Sequence, residues 1–324
     1  MSAAPVRLLR RADVRRCLEG ADVLGVVREA LVAAAQGRVR AAGAMSFDFG
    51  ERGEAHVKGA YLEGAGEWAV KLASGFYGNP RQGLPAASGM TLLASAETGV
   101  PLAIVLDGGL LTDLRTAAAG TLAIDALAPA EVERVAIVGC GTQARAQLEY
   151  LCRRRRPGRV VAYGRDRERA AAYAEEMSER LGIEVTATRD VRAAAEGAEV
   201  VLTVTAARRF LVEAEWIDQG ATVVAVGADM PGKQELEPRL LERAELLVAD
   251  DPAQAAEVGE LQHAPADVRE RARALGDVLA PPPPSRDGIA VVDLTGLGAQ
   301  DAAIASLVAE RAAELDVGEQ LSLD

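Results

Sequence analysis

The second half of the chain alternates between short apolar runs and helical patterns of apolar and polar residues. The apolar runs are rich in valine and about as long as buried strands, and helical stretches follow most of them. The predicted strands are 135–138, 160–163, 185–187, 200–204, 222–226, 246–248 and 289–292. This alternation is typical of a parallel sheet covered by helices on both faces. We therefore predict an α/β fold with a doubly wound, Rossmann-type domain over residues 128–298.

The first half shows a different pattern, in which an amphipathic helix at 22–36 precedes several strands. The segments that predict these strands are 56–62, 67–72, 90–94 and 102–106. Thr112 is predicted to cap an alanine-rich helix over 113–127. We predict an α+β domain over residues 1–127, which is joined by a C-terminal helix at 299–324.

Composition limits the classes of partner and chemistry. The 324 residues carry 48 acidic and 36 basic side chains, and the net charge of −12 argues against a nucleic-acid partner, which would require a basic face. No apolar run is long enough to span a membrane, and residues 1–11 lack the apolar core of a secretory signal, so we expect a soluble cytoplasmic protein. Three cysteines without paired spacing and two histidines argue against a disulfide framework and against a metal site.

The predicted strand at 135–138 runs into Gly139-x-Gly141-x-x-Ala144, where a helical pattern begins. Gly139 permits a tight turn, Gly141 lets a pyrophosphate approach the backbone, and Ala144 lets the helix pack closely on the strand. Small residues at this spacing also occur in ordinary strand-to-helix turns. A second strand and a ribose-reading position follow at the expected distance, however, so we predict a dinucleotide site with NAD(H) or NADP(H) as the cofactor.

The ribose-reading position is occupied by Gly164-Arg165-Asp166. Gly164 stands where an acid that selects NAD often lies, and Arg165 is suited to contact a 2′-phosphate. Asp166 favours the opposite choice, because its carboxylate can accept hydrogen bonds from the ribose hydroxyls. The selectivity stays open, and we expect both cofactors to be accepted.

Arg115 lies near the start of the predicted helix, where a cation opposes the helix dipole but stands among free N–H groups that attract anions. It is either a clamp for a substrate carboxylate or phosphate, or one half of a salt bridge to a neighbour such as Asp113. The sequence alone favours neither interpretation.

Lys71 alternates with Ala69 and Ala73 on a predicted strand whose other face is apolar. A lysine directed into a substrate cavity can hold a carboxylate or transfer a proton, and its pKa falls when it is desolvated. On the pattern alone, a solvated strand face is slightly favoured. Lys58 and His56 share one face of the preceding strand and present the same two alternatives.

Asp229 follows the predicted strand at 222–226 and the step Gly227-Ala228. It therefore lies beyond the carboxyl end of a parallel strand, where open α/β sheets bind ligands. A carboxylate in that place can hold or protonate a substrate nitrogen. Asp229 is equally well explained as a turn residue before Met230-Pro231-Gly232.

Several of these residues belong to motifs by which the chain resembles the ornithine cyclodeaminase/mu-crystallin family, from about Lys58 to Asp301. In chain order the motifs are Lys71, Asn79-Pro80-x-x-Gly83-Leu84-Pro85, Thr98-Gly99-x-Pro101, Leu111-Thr112-x-x-Arg115-Thr116-Ala117-Ala118, Gly139-x-Gly141-Thr142-Gln143-Ala144, Gly227-Ala228-Asp229-x-Pro231-Gly232-Lys233-x-Glu235-Leu236 and Asp293-x-Thr295-Gly296. The resemblance implies a homodimer, in which each subunit combines a substrate-binding and dimerisation domain with a Rossmann domain for NAD(H) or NADP(H).

By matching motif, Lys71 and Arg115 would hold the substrate carboxylate and Asp229 would act at the substrate nitrogen, so Asp229 and Lys71 are the expected catalytic residues. The fingerprint and the resemblance together assign cofactor contacts to Gly139, Gly141, Thr142, Gln143, Ala144, Arg165, Asp166 and Thr112. An upstream arginine that helps to bind the carboxylate in this family has no clear counterpart, and Arg40 is its candidate.

Segments 56–61 and 73–80 resemble the ectoine-degradation and iminosuccinate-reductase members, which interconvert aspartate and its imine. The resemblance therefore implies an NAD(P)-dependent amino-acid dehydrogenase or imine reductase. Aspartate or iminosuccinate is the favoured substrate, with Lys58 and His56 as further substrate contacts.

Two alternatives remain. An ornithine or lysine cyclodeaminase would release ammonia and keep NAD bound, but an ammonium side chain needs an acidic partner, whereas His56 and Lys58 look cationic. A non-catalytic, crystallin-like protein would keep the nucleotide site without turnover, and the intact Lys71, Arg115 and Asp229 argue against it.

Overall fold

The computed structural model describes residues 5–280 and 286–322, so the outermost residues of the predicted domains and residues 281–285 lie outside the described part. The chain divides into two compact units. The first comprises Met1–Arg115 and Leu297–Asp324, and the second comprises Thr116–Gly296. In the described ranges, no helix has the length and apolar character needed to cross a membrane.

The secondary structure follows the two patterns seen in the sequence. The strands are β1 (Val6–Arg10), β2 (Val39–Ala41), β3 (Met45–Asp48), β4 (Glu54–Leu62), β5 (Glu67–Gly75), β6 (Ala87–Ser95), β7 (Pro101–Leu106), β8 (Arg134–Val138), β9 (Arg159–Tyr163), β10 (Glu184–Thr188), β11 (Val200–Thr203), β12 (Arg208–Val212), β13 (Thr222–Ala225), β14 (Gln234–Leu236), β15 (Leu246–Ala249), β16 (Arg273–Ala274), β17 (Ala290–Asp293) and β18 (Glu319–Leu321). The α-helices are α1 (Arg11–Leu18), α2 (Val23–Ala35), α3 (Leu110–Leu127), α4 (Thr142–Arg154), α5 (Arg167–Leu181), α6 (Val191–Ala195), α7 (Pro238–Arg243), α8 (Pro252–Val258), α9 (Ala266–Arg269), α10 (Leu275–Val278) and α11 (Gly298–Glu314).

The first unit is an α+β structure built on one mixed sheet in the order β18-β1-β7-β6-β5-β4-β2, with β3 also paired to β4. Neighbouring strands run antiparallel except for β1 and β7, which run parallel. The strands predicted in this unit are present, and most are longer than their patterns. Strands β1, β2, β3 and β18 were not predicted, because they are short and lack a long alternating pattern.

Helix α11 covers one face of this sheet. It packs against β4, β5 and β6 and against α2, and its first residue lies so close to β4 that a Cβ atom at Gly298 would be 3.0 Å from the Gly59 carbonyl oxygen. The predicted C-terminal helix is therefore present, and it belongs to the first unit although it is formed near the end of the chain.

Helix α3 begins earlier than predicted, so the expected capping role of Thr112 is wrong. The helix starts at Leu110, and Thr112 is its third residue. The carboxylate of Asp107 accepts hydrogen bonds from the backbone N–H groups of Gly109 (3.0 Å) and Leu111 (2.5 Å), as a capping side chain does. Gly108 has a φ of +66°, which makes the turn from β7 into the helix possible.

The second unit is a doubly wound parallel sheet in the order β10-β9-β8-β11-β13-β17-β15-β16. Each described pair of neighbours runs parallel. The chain reverses its direction of winding between β8 and β11, and open α/β sheets bind ligands at the carboxyl ends of the strands at such a point. The α/β fold with a Rossmann-type sheet and an additional α+β unit is thus confirmed.

The predicted strands of this unit match the observed ones to within one or two residues at each end. Short strands outside the regular alternation were missed, namely β12 and β14, which pair with each other, and β16 at the edge of the large sheet. The two compact units meet between Arg115 and Thr116, which lies inside the continuous helix α3. The predicted domain boundary between residues 127 and 128, at the end of that helix, stays a prediction.

Candidate active site

The turn between β8 and α4 has the geometry of a phosphate-binding loop. Gly139 adopts a φ of +123°, and a Cβ atom there would lie 3.0 Å from the Val204 carbonyl oxygen at the end of β11. At Gly141 a Cβ atom would meet no described atom within 4 Å. Gly141 is also the N-cap of α4 and offers no side-chain cap to the first amides of that helix. The loop therefore presents open space and helix N–H groups, which suit a pyrophosphate.

Three hydrogen bonds hold this loop on the neighbouring strand and helix. The Gly139 N–H donates to the Tyr163 carbonyl at the end of β9 (2.9 Å), and the Tyr163 carbonyl also accepts from the Cys140 thiol (3.3 Å). Burial raises the pKa of Cys140 to about 11, so it remains a neutral thiol donor. Ala144 is fully buried, and its carbonyl accepts a bond from the Tyr173 hydroxyl of α5 (3.1 Å).

The end of β9 carries the predicted ribose-reading residues. A Cβ atom at Gly164 would lie 2.8 Å from the Ala170 side chain, so helix α5 leaves no room there for an acidic side chain. The Asp166 carboxylate caps α5, where Oδ1 accepts hydrogen bonds from the N–H groups of Glu168 (3.0 Å) and Arg169 (3.1 Å). Arg165 is exposed. These contacts give Asp166 a structural task that the sequence analysis did not foresee.

In the first unit, the face of the sheet beneath α11 carries the predicted substrate residues. On β4 the buried positions include Glu54, His56 and Lys58, and on β5 they include Lys71. Lys58 and Lys71 are directly opposite each other in the register of these strands. The slightly favoured interpretation of a solvated strand face is therefore wrong for these residues, because α11 covers that face.

Lys71 and Arg115 share one carboxylate, that of Asp301 on α11. The Lys71 ammonium lies 2.8 Å from Oδ2 of Asp301, and Nε of Arg115 lies 2.9 Å from Oδ1. All three side chains are at least nine-tenths buried. Arg115 thus takes part in a salt bridge, but its partner is 186 residues away rather than a neighbour in sequence such as Asp113.

The ionisation of this cluster follows from burial and from the neighbouring charges. The pKa of Lys71 is lowered to about 8, mainly by burial and also by Arg115 and Lys58, while Asp301 opposes the change. For Asp301, burial acts to raise the pKa, but Lys71 and Arg115 outweigh it and hold the pKa below its ordinary value. The cluster is therefore an ionised carboxylate held between two buried cations.

Arg115 is the sixth residue of α3 and lies beyond the first turn, because the helix starts at Leu110. The expectation that it stands among the free N–H groups of the helix N-terminus is consequently wrong. Its guanidinium is fixed by Asp301 and lies 3.5 Å from the side-chain oxygen of Gln300 through Nη1.

His56 and Glu54 extend the row of polar side chains along β4. Nδ1 of His56 lies 3.0 Å from the Ser46 hydroxyl on β3, and the Tyr77 hydroxyl donates to Oε1 of Glu54 at 2.8 Å. His56 and Lys58 made this strand look cationic in the sequence, and Glu54 was not predicted as a site residue. The strand therefore offers an acid as well as cations to the covered face.

Arg40, the candidate for the upstream carboxylate-binding arginine, lies apart from this cluster. It is on edge strand β2 opposite Tyr61, so it shares the sheet face of Tyr61 and not that of Lys58. Its side chain is 77% exposed and pairs with Glu63 at 3.4 Å. The structure does not support Arg40 in that role.

In the second unit, Asp229 lies just beyond the end of β13, as predicted. The Lys233 ammonium is 2.6 Å from Oδ1 of Asp229, and the lysine side chain is almost fully buried while that of Asp229 is one-third exposed. Asp229 is therefore held by a buried cation and retains access to solvent, which is more than a turn residue requires.

Glu235 fixes the backbone beside Asp229. Its fully buried carboxylate accepts bonds from the Thr203 hydroxyl (2.7 Å), the Thr205 N–H (2.5 Å) and the Gly227 N–H (2.8 Å). It thereby ties the end of β11 to the end of β13. Burial raises the pKa of Glu235, although these donors oppose the change.

Three charged side chains that bind candidate site residues or lie beside them were not predicted as site residues. They are Asp301, Lys233 and Glu54. One signal could have pointed to Lys233. The chain has three lysines among its 36 basic residues, and these are Lys58, Lys71 and Lys233. All three are buried and lie among the candidate site residues. No sequence signal identifies Asp301, whose partners are distant in the chain.

Two characterised proteins are similar to this chain over most of their length. Alanine dehydrogenase of Archaeoglobus fulgidus is 35% identical over 323 residues, which cover 97% of each chain. Iminosuccinate reductase of Paracoccus denitrificans is 32% identical over 271 residues, which cover 82% of this chain and 83% of the reductase.

The solved structure of an archaeal alanine dehydrogenase dimer with bound NAD matches the fold with a TM-score of 0.87 and 32% sequence identity, over 98% of this chain and 99% of that one. The sequence model of the ornithine cyclodeaminase/mu-crystallin family matches residues 6–316. The chain therefore belongs to the ornithine cyclodeaminase/mu-crystallin family.

Proposed function

We propose that this protein is an NAD(P)-dependent amino-acid dehydrogenase or imine reductase whose favoured substrate is aspartate or its imine, iminosuccinate. The observation that carries the proposal is the buried cluster in which Lys71 and Arg115 share the carboxylate of Asp301, with Lys58 directly opposite Lys71 on the neighbouring strand. A substrate carboxylate would be stabilised beside these cationic side chains, because buried charges require partners.

The register of β4 and β5 supports the preference for a second carboxylate. Lys58 lies directly opposite Lys71, so the sheet presents two ammonium groups side by side, with Arg115 held close to one of them. A monocarboxylic amino acid would need fewer cations than this. The similarity to iminosuccinate reductase over four-fifths of the chain supports the same substrate class.

Asp229 would act at the substrate nitrogen. An ionised carboxylate can orient an ammonium or iminium group and accept or return its proton. The Lys233 ammonium at 2.6 Å stabilises that ionised form and fixes Oδ1. Substrate positioning by preorganised charges supplies much of the catalysis in such a site.

The loop of Gly139, Gly141, Thr142, Gln143 and Ala144 would hold the pyrophosphate of NAD(H) or NADP(H). A bound nicotinamide would supply or accept the hydride. With no space for an acid at Gly164 and with Asp166 engaged at the helix cap, the exposed Arg165 is the residue best placed to tolerate a 2′-phosphate. We therefore retain both cofactors, with Thr112 as a further expected contact.

One observation favours a second candidate function. A cyclodeaminase acting on ornithine or lysine needs an acid for the side-chain ammonium, and Glu54 supplies a buried carboxylate on the same face as His56 and Lys58. Release of ammonia from ornithine, without a net change in cofactor absorbance, would favour this second function.

The general test is a panel of amino acids, and of 2-oxo acids with ammonia, followed by the absorbance of NAD(P)H. We expect the highest kcat/KM for aspartate, or for oxaloacetate with ammonia. Turnover of ornithine alone would replace the proposal by the cyclodeaminase. A lack of turnover with every substrate, in a protein that still binds the cofactor, would favour a non-catalytic role.

The dinucleotide site is tested by Gly141→Val. The branched side chain would fill the open space at Gly141, so we expect binding of NAD(H) to be lost without loss of the fold. Calorimetric titration with NADH measures the effect. Gly66→Val is the matched control, because Gly66 also faces open space but lies in the other unit. Unchanged NADH affinity in a folded Gly141→Val protein would remove the dinucleotide assignment.

The role of Asp229 is tested by Asp229→Asn, which preserves size and removes the ionisable group. We expect kcat to fall by about two to four orders of magnitude, with little change in cofactor affinity. Asp218→Asn, at an exposed position of the same unit, serves as the control. Near-normal turnover would return Asp229 to the role of a turn residue.

The second carboxylate is tested by Lys58→Met. A charge-assisted hydrogen bond contributes about 1.5–3 kcal/mol, so kcat/KM for a dicarboxylate should fall by roughly ten- to a hundredfold. Alanine, or pyruvate with ammonia, lacks that carboxylate and should be hardly affected. If kcat/KM falls equally for both substrate classes, or if the wild type prefers ornithine, the aspartate assignment is wrong.

We also propose that two copies of the chain dimerise through the sheet face that α11 leaves uncovered. That face carries exposed apolar side chains on three adjacent strands, and these are Leu72, Met90, Leu92, Leu102 and Leu106. Large exposed apolar patches mark interaction sites, and the archaeal relative forms a dimer.

The dimer is tested by Leu92→Glu, which places a charge in the middle of this face. Light scattering should give twice the chain mass of 33.8 kDa for the wild type and the single mass for the variant. Glu97→Lys, in an exposed turn of the same unit, should remain dimeric. A monomeric wild type would contradict the proposal.

A further inference from the structure

The two carboxylate oxygens of Asp301 bind two different cations. Oδ2 holds the Lys71 ammonium at 2.8 Å, and Oδ1 holds Nε of Arg115 at 2.9 Å. The two cations come from different elements, strand β5 and helix α3, and α11 supplies the carboxylate between them. A small displacement of Asp301 would therefore move both cations.

The local structure of α11 fixes the position of Asp301. The residue lies in the first turn of the helix, where the helix dipole favours a negative charge. The preceding Gln300 is fully buried, and its side-chain oxygen accepts from the Leu297 N–H at 2.9 Å and lies 3.5 Å from Nη1 of Arg115. The carboxylate is thus held on a rigid helix terminus and not on a mobile loop.

The charged groups that surround Lys71 come from three elements. Lys58 lies opposite it on β4, with His56 two residues further along the same face, Arg115 comes from α3, and Asp301 comes from α11. On its other side the register partner is Thr91 of β6, which has no charge. Asp301 is therefore the acid that opposes burial and the two neighbouring cations in setting the charge of Lys71.

We propose that Asp301 is a positioning residue of the reaction, which holds the Lys71 ammonium and the Arg115 guanidinium in place and keeps Lys71 charged to receive the substrate carboxylate. This inference rests on the proposed function for the identity of the anion, but the arrangement of the two cations around Asp301 does not depend on it. Asp301 does not contact the reacting atoms in this proposal, since it acts through Lys71 and Arg115.

The first experiment measures the charge of Lys71 without any substrate. Acetic anhydride reacts with neutral amines, so the pH at which Lys71 is half-reactive reports its pKa. The chain contains only two other lysines, which makes the labelled peptides easy to assign by mass spectrometry. In the wild type we expect a midpoint near pH 8. In Asp301→Asn the midpoint should move down by about one to three units.

Turnover should follow the same titration. Lys71 binds the substrate carboxylate in its protonated form, so kcat/KM should decline as the pH rises through about 8 in the wild type. In Asp301→Asn this decline should begin at lower pH and should appear mainly in KM. Glu310→Gln, at an exposed position of the same helix, is the control and should match the wild type in both measurements.

A second variant keeps the test decisive if Asp301→Asn does not fold, since that change leaves two buried cations without their counterion. Asp301→Glu retains the charge but displaces it by one methylene group. We expect a labelling midpoint close to the wild-type value together with a fall in kcat/KM of roughly tenfold or more. Unchanged kcat/KM in Asp301→Glu would overturn the positioning role.

The outcomes separate this inference from the proposed function. A shifted labelling midpoint in Asp301→Asn, in a protein that turns over no amino acid or imine, would support Asp301 and defeat the proposed reaction. A wild type that is active on aspartate, with an unshifted midpoint in Asp301→Asn, would defeat the inference alone. Loss of stability without any shift would show that Asp301 has only a structural role.

Discussion

The ion pairs of Asp301 with Lys71 and Arg115 are the constraint on which the first unit depends. Charges that are removed from water need partners, and removal of one partner from a buried pair costs about 3–5 kcal/mol. The sheet supplies Lys71 from β5, and helix α11 supplies the carboxylate that pairs with it. This pairing requires the chain to leave the first unit at Arg115 and to return at Leu297. The return of the C-terminal segment is thus linked to the charge of the covered sheet face.

In the second unit, a carboxylate and the cation that pairs with it come from residues that are close in sequence. Asp229 and Lys233 are four residues apart, and the turn between them brings the two side chains to 2.6 Å. Glu235 follows at once and ties the ends of β11 and β13 together through three hydrogen bonds. Asp229, Lys233 and Glu235 therefore lie in one continuous motif, although Glu235 also binds groups at the distant end of β11.

This contrast explains how much the sequence could predict. The Rossmann strands and the glycine loop were predicted well, because strand periodicity and loop geometry depend on residues that are close in the chain. The start of α3 was misplaced, because the Asp107 side chain and not that of Thr112 caps it. The partner of Arg115 was missed, because 186 residues separate it from Asp301 and no local pattern marks that contact.

Burial was misjudged for a related reason. Alternation along β5 placed Lys71 and the apolar residues on opposite faces, and a charged face is normally the solvated one. The structure reverses this arrangement. The covered face carries Lys71, whereas Leu72 of the opposite face is 40% exposed. Only the position of α11, which comes from the far end of the chain, could have shown which face is covered.

The use of lysine instead of arginine at the candidate site helps to distinguish a functional role of these residues from a purely structural one. The chain uses arginine for nearly all of its 36 basic residues, yet Lys58, Lys71 and Lys233 are lysines and are buried. For a purely structural ion pair, arginine would bind a carboxylate with two parallel bonds and would stay charged at every relevant pH. Lysine offers a smaller ammonium group whose pKa responds to burial, as that of Lys71 does. Because buried ion pairs contribute little net stability compared with apolar packing, the binding and proton chemistry proposed above gives a reason for lysine at these positions that the fold alone does not.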